Sequence, residues 1–301
     1  MVTKKTVKRF FDGIFGKSTS DRIFNFVNYA VFLLFGLIML YPFYYVVKES
    51  LINIKLVDGV AQEVYNFSAY SFVLSSSKIS TAFALTILVV AAHTALHLLF
   101  TFITAYPLSK THLVGRKHFL LFVFITMLFS GGMIPSYILM TRVLKWQDTL
   151  LVYIVPGVLT GFNIIVVKNF LQGIPTSLEE SAKLEGANDF VILIKIYIPL
   201  SLPIAATIGL WAGVGKWNNW MTGVLYINNP DLYMIQNVLR DMLISATSTD
   251  PSGQNPDKTL MAMADNVKMA TVVVGTLPIV LIYPFVQKYF VKGMLVGSVK
   301  G

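Results

Sequence analysis

The 301-residue chain is 55% hydrophobic and only 13% charged, with a mean hydropathy of +0.67. Soluble globular domains carry about 25% charged residues, so this composition excludes an ordinary water-soluble fold and points to lipid as the solvent. The net charge of +9 does not indicate a nucleic-acid partner, because the basic residues sit in short segments flanking apolar stretches, and the lack of cysteine excludes disulfides, thiolate metal sites and cysteine nucleophiles.

The first 22 residues combine Lys4, Lys5, Lys8 and Arg9 with Phe10, Phe11 and Phe15, the pattern of an amphipathic surface anchor. Six intervals then contain no Asp, Glu, Lys or Arg: 23–47, 79–109, 119–141, 149–167, 196–215 and 269–287. Each is long enough for the roughly 20 residues that carry a helix across a ~30 Å hydrocarbon core, and a helix satisfies its own backbone there. The 25-residue first interval, with no small-residue cleavage site after it, reads against a cleavable leader. If the N-terminus is cytoplasmic, the inside segments carry 15 Lys and Arg and the longer outside segments carry 9. That asymmetry obeys the positive-inside rule, and an even number of spans returns the C-terminus to the cytoplasm. The expected organisation is a cytoplasmic N-terminal segment 1–22, a six-helix domain 23–290 and a cytoplasmic tail 291–301.

Pro42, Pro107, Gly131-Gly132 with Pro135, Pro156, Pro199, Pro203, Pro278 and Pro284 interrupt the spans, so kinked, packed helices are expected. Gly209 and Gly213 form a GxxxG pair that favours close helix contact. The outside segment 216–268 holds Trp217-Asn218-Asn219-Trp220 and the turn-rich Asn228-Asn229-Pro230-Asp231, then a predicted helix near 232–244 and a polar loop over 248–256. An outside loop of that length usually carries a function.

Enzyme chemistry finds little support. His93 and His97 stand four apart on one helical face, but Thr94 occupies the position where a metalloprotease motif needs glutamate, and the chain has only four histidines. Polar residues facing the bundle interior or a water-filled path are the simpler reading. Gly16-Lys17-Ser18 lacks the first glycine of a phosphate-binding loop, since Phe11 stands there. No catalytic residue and no metal site is expected.

Residues 174–203 differ from the rest. Ser177 and Glu180 have capping-box spacing, and Glu179 and Glu180 place negative charge at a helix start. Ala182 and Ala187 keep the surface shallow, Gly186 permits a tight turn, and Asn188-Asp189 can cap the next helix. The expected product is two short helices at an angle on the cytoplasmic face, a rigid knob. Glu180-Ser181-Ala182, Gly186 six residues after Glu180, then Ile196 and Pro199 resemble the EAA signature of ABC importer permeases: Glu-Ala-Ala, three residues, Gly, nine residues, Ile, one residue, Leu-Pro. Ser181 replaces the first alanine of that pattern and Ile198 the leucine. The segments 130–137, 217–220 and 283–293 extend the resemblance over nearly the whole chain. It is most similar to the MalG-like permease subunits of bacterial carbohydrate ABC importers, in the subgroup associated with oligosaccharide import.

The resemblance implies an all-α type I importer permease fold with six transmembrane helices and both termini cytoplasmic, in a bacterial cytoplasmic membrane. It implies that Glu179, Glu180, Ser181, Ala182, Glu185, Gly186 and Ala187 form a coupling helix seated in a groove of an ATPase. The implied partners are a second, MalF-like permease, two copies of an ABC ATPase that holds ATP and magnesium, and an extracytoplasmic solute-binding protein met by the loop 216–268. This chain itself needs no cofactor, and a sugar is moved by alternating access. An ABC permease for another solute class and a membrane enzyme or channel stay open; co-purification with an ATPase separates the permeases from the last two. Sugars show hydroxyl edges and apolar faces, so a path wants amides and aromatic rings. Asn163 in the fourth span and Trp211, Trp217 and Asn218 at the end of the fifth are the candidates, and the same residues suit helix packing and interface anchoring.

Overall fold

A computed structural model describes residues 18–57, 60–247 and 265–284. By their contacts they divide into two units, one within residues 1–70 and 255–273, the other within 71–254 and 274–301.

In the first unit, helix α1 (Thr19–Leu51) starts where the Ser18 N–H donates to Asp21 Oδ2 at 3.4 Å, and it runs 33 residues through Pro42. Among the described residues its apolar window is unburied, a face suited to lipid or another subunit. The expectation of an all-α chain needs correction after α1. Strands β1 (Ile52–Val57) and β2 (Val60–Tyr65) pair antiparallel, with Ile52 opposite Tyr65 and Val57 opposite Val60. Both strands mix β-branched and polar residues, and the two residues between them in sequence are Asp58 and Gly59, a strong hairpin signal. Past the hairpin, the Asn66 N–H donates to Leu51 O at 2.9 Å and Ser50 Oγ lies 2.6 Å from Tyr70 Oη. Helix α2 (Ser68–Ser75) follows.

The second unit is organised around α3 (Ser77–Ser109). Ile79, Ala82, Thr86, Val89, His93, His97 and Thr101 are buried along it at spacings of three and four, one continuous stripe of a 3.6-residue helix. Against that stripe pack α7 (Gly161–Leu171), α10 (Leu202–Trp217) and α12 (Ile235–Thr247). The GxxxG expectation is met in geometry: a Cβ on Gly209 would lie 3.4 Å from Leu98, and one on Gly213 3.4 Å from Thr94 Oγ1.

The intermediate spans are broken. Helices α4 (Arg116–Leu128) and α5 (Met133–Val143) meet at 104° across residues 129–132, where Gly132 has φ +82°. Helices α9 (Asp189–Leu200) and α10 meet at 82° around Ser201, between Pro199 and Pro203. The interval 149–167 is not one helix: α6 (Leu151–Ile154) ends in an unwound stretch before α7 begins at Gly161. Among the described residues three helices are long and apolar enough to cross a membrane, α1, α3 and α13 (Asp265–Pro284), and five crossings result if each bent pair counts as one. Pro42 and Pro107 leave their helices continuous, so proline alone did not decide where spans break. Helix α11 (Met221–Tyr226) and the turn at Asn228-Asn229 are clasped by Asp148, whose carboxylate accepts from the Asn228 and Asn229 N–H groups at 2.5 and 3.0 Å. Those donors hold the exposed Asp148 carboxyl below its usual range.

The residues of the N-terminal anchor, the polar loop 248–256 and the tail 291–301 lie outside the described residues.

Candidate functional site

Helix α8 (Thr176–Leu184) carries the EAA-like residues. Its N-cap is Pro175, and no side chain caps it, so the Ser177–Glu180 capping box does not form. Proline fixes φ and the helix starts at once, which places Ser177 two residues past the N-cap position, too late to cap. The other end matches the expected tight turn. Gly186 has φ +85°, its N–H donates to Lys183 O at 3.0 Å, and the Ala187 N–H donates to Ala182 O at 2.9 Å. These two bonds are a Schellman cap, and Ala182 and Ala187 pack together on the apolar core beneath. Asn188 then caps α9 by accepting from the Val191 N–H at 2.9 Å. Two short helices joined by a capped glycine turn make a stiff projection.

What seats the projection was not visible in the sequence. Glu179 is buried, 7% exposed, and its carboxylate is the hub of a polar cluster. Lys110, the C-cap residue of α3, donates to Glu179 Oε2 and to Tyr197 Oη, the latter at 2.9 Å. Tyr197 donates to the same oxygen at 2.8 Å, and Lys183 to Oε1 at 2.9 Å. The Lys110 ammonium also lies 4.2 Å over the Tyr106 ring and 4.1 Å over the Tyr197 ring. Burial alone would raise the Glu179 carboxyl, but the three donors prevail and hold it at about 2. In turn the Glu179 contact raises the Lys183 ammonium above its ordinary range. Beside the cluster opens a pocket of about 380 Å³ lined by Lys110, His112, Gln172, Thr176 and Glu180.

The outer face of α8 is free. Glu180, Ser181, Glu185 and Gly186 are exposed, Ala182 and Ala187 are half-buried, and Leu184 stands 91% exposed. Val114, in the loop after α3, is 90% exposed. Small residues, two carboxylates and a bare leucine thus stand exposed together on one rigid element.

Comparison with known proteins gives this surface its context. Residues 13–296 match the family model described as the binding-protein-dependent transport system inner membrane component. The chain belongs to this family. It is 39% identical over 290 residues to the polygalacturonan/rhamnogalacturonan transport system permease protein YtcP of Bacillus subtilis (strain 168), covering 93% of this chain and 99% of that one. Protein LplC of the same organism is 38% identical over 94% of this chain and 96% of its own length. Among solved structures, a chain of a bacterial ABC transporter involved in the import of the acidic polysaccharide alginate superposes with a TM-score of 0.79 at 32% identity, covering 91% of this chain and 99% of that chain. As a permease subunit, the chain is the non-catalytic, multi-pass membrane component of such a system.

In this permease the path candidates fall into two groups. Asn163, 8% exposed, has its Nδ2 2.8 Å from His97 Nε2, and Trp217, 6% exposed, donates from Nε1 to Gly275 O at 3.1 Å. Trp211 and Asn218 are exposed, and the Trp211 ring lies 5.8 Å from that of Phe162, the neighbour of Asn163. His93 and His97 bind no third ligand-type residue among the described residues. His93 Nδ1 lies 2.7 Å from Ile154 O, and Lys216 donates to Pro156 O at 3.2 Å. Both therefore occupy carbonyls freed where the fourth span unwinds, a need that hydrocarbon could not meet.

Proposed function

We propose that this permease is one of two unlike membrane subunits of an ATP-driven importer that moves an oligosaccharide inward across the bacterial cytoplasmic membrane. The single observation that carries the reading is the α8 projection: an EAA-like segment built as a stiff knob, anchored from inside by Glu179 and bare on its outer face. Its partners are a MalF-like second permease, two copies of an ATPase that binds ATP and magnesium, and an extracytoplasmic solute-binding protein. Six crossings with both termini cytoplasmic satisfy the charge asymmetry of the sequence. Two crossings are then the bent pairs, and α6 with α7 makes another. Transport proceeds by alternating access, and Glu179, Glu180, Ser181, Ala182, Glu185, Gly186 and Ala187 convey ATPase closure to the spans.

One relative is named for polygalacturonan/rhamnogalacturonan transport and the solved structure for import of the acidic polysaccharide alginate, which favours an acidic, carboxylated oligosaccharide as the cargo. Of the four path candidates, Trp211 and Asn218 keep faces free for sugar. The Asn163 amide nitrogen and the Trp217 indole N–H are committed to neighbouring helices, so these two residues shape the path from behind.

The test is ATP-dependent accumulation of labelled oligogalacturonide in vesicles holding the two permeases, the ATPase and the binding protein. Accumulation that exceeds that of a neutral maltooligosaccharide supports the reading. Lack of uptake of any oligosaccharide, with the four components assembled, overturns it.

A further inference from the structure

The end of α3 is where the elements of this unit converge. Arg116 Nε, at the start of α4, donates to Leu108 O at 2.9 Å, and Gln172, just past α7, donates to Ser109 O at 3.2 Å. One residue further on, Lys110 reaches α8 through Glu179 and α9 through Tyr197. The Tyr106 and Tyr197 rings meet edge to face with centroids 5.0 Å apart, boxing the ammonium in. Lys110 is thus a largely enclosed cation, its side chain 13% exposed, with its donors divided between the knob and the bent entry to α10.

We propose that Lys110 is a positioning residue for coupling: through Glu179 and Tyr197 it clamps the knob to α3 and to the α9–α10 bend, so that one displacement of α8 is delivered to both. The inference rests on the importer reading above. The physical reason is the cost of opening the clamp. Sliding α8 away from α3 would strip the Lys110 ammonium of its counter-charge and leave one oxygen of the buried Glu179 carboxylate without its cation, so the knob and α3 move together. Without Lys110, α8 keeps its own caps and its Lys183 contact but loses its tie to α3. α3 is the helix against which α7 and α10 pack, so the movement of the knob then reaches α9 through Tyr197 alone and is no longer delivered to α3 and the helices packed on it.

In assembled vesicles, Lys110→Met is expected to retain the ATPase and its basal hydrolysis while substrate moved per ATP falls about tenfold, within the range of typical coupling free energies. Lys110→Arg should restore most of that ratio, because a guanidinium reaches the same carboxylate. A ratio unchanged in Lys110→Met, or uptake that falls only in proportion to the amount assembled, overturns the proposal. A second measurement needs no transport. The chain has no cysteine, so spin labels at Val114→Cys and Leu184→Cys report the spacing of the α3 end and the knob directly. One narrow distance in the wild type and a broad distribution in Lys110→Met are expected. Equal distributions overturn the clamp. Wild-type vesicles that assemble yet take up no oligosaccharide count against the importer reading alone, because the label distances still judge the clamp.

Discussion

Glu179→Gln removes one charge and almost no volume, so it isolates the electrostatics of the buried hub. The carboxyl has an ordinary value of 4.5 and is held at about 2 in the fold. That depression corresponds to about 3 kcal/mol of local stability at neutral pH. Because the folded value lies below the unfolded one, the contribution is complete above pH 4.5 and is lost as pH falls from there toward 2. About 1 kcal/mol should be gone by pH 4. Glutamine still offers an oxygen to Tyr197, yet it leaves the Lys110 ammonium without a counter-charge, so the expected cost is about 2–3 kcal/mol. Amide hydrogen exchange over 176–187, measured on the assembled complex in lipid discs, reads this as roughly 30- to 150-fold faster exchange at pH 7. Exchange in the variant should also lose the acid-dependent rise in opening that the wild type shows between pH 5 and 3. Wild-type exchange rates in Glu179→Gln, or an acid response identical to the wild type, would refute the assignment of Glu179 as the anchor of α8.

Other substitutions separate the remaining roles. Asn163→Leu strands the His97 ring nitrogen, which is 1% exposed at the residue level, at about 1–2 kcal/mol; fewer assembled complexes with normal uptake per complex are expected. Full assembly with slow uptake would instead place Asn163 on the sugar path. Asn188→Ala removes the side chain that caps α9 and should cost about 1 kcal/mol, seen as faster exchange at the Val191 amide; an unchanged rate there contradicts the cap. At Gly186 a Cβ meets nothing within 4 Å, so Gly186→Ala costs only about 1 kcal/mol of left-handed strain. Gly186→Trp should be no worse in the chain by itself but should release the ATPase on co-purification; retention of the ATPase argues against docking at the turn. Glu180 is exposed, so Glu180→Lys should shift the thermal midpoint little, within about 0.5 kcal/mol, and still abolish ATPase capture. Intact capture would remove Glu180 from the contact.

The residues by themselves determined the solvent of the chain, the apolar intervals and the caps around Gly186. Composition, charge spacing and a turn glycine all act within a few residues, so a local reading finds them. The same holds for the Gly209–Gly213 contact, which needs only two small residues one turn apart. The hairpin after α1 also has a local signal, Asp58-Gly59 between two strand-like runs, set in a chain whose apolar intervals otherwise favour helix. Other features had no local signal. A hydropathy window over 149–167 or 119–141 is uniformly apolar whether or not the backbone is broken there. The breaks are tolerable because distant residues meet their needs: His93 and Lys216 satisfy carbonyls of the unwound stretch from two other helices. The anchor of the coupling segment follows the same logic. Glu179 lies 69 residues from Lys110 and 18 from Tyr197, and nothing in the sequence marks either of those two as its partner. Only the packing of α3, α8 and α9 buries all three together, and burial turns a common surface charge pair into a joint that is costly to open.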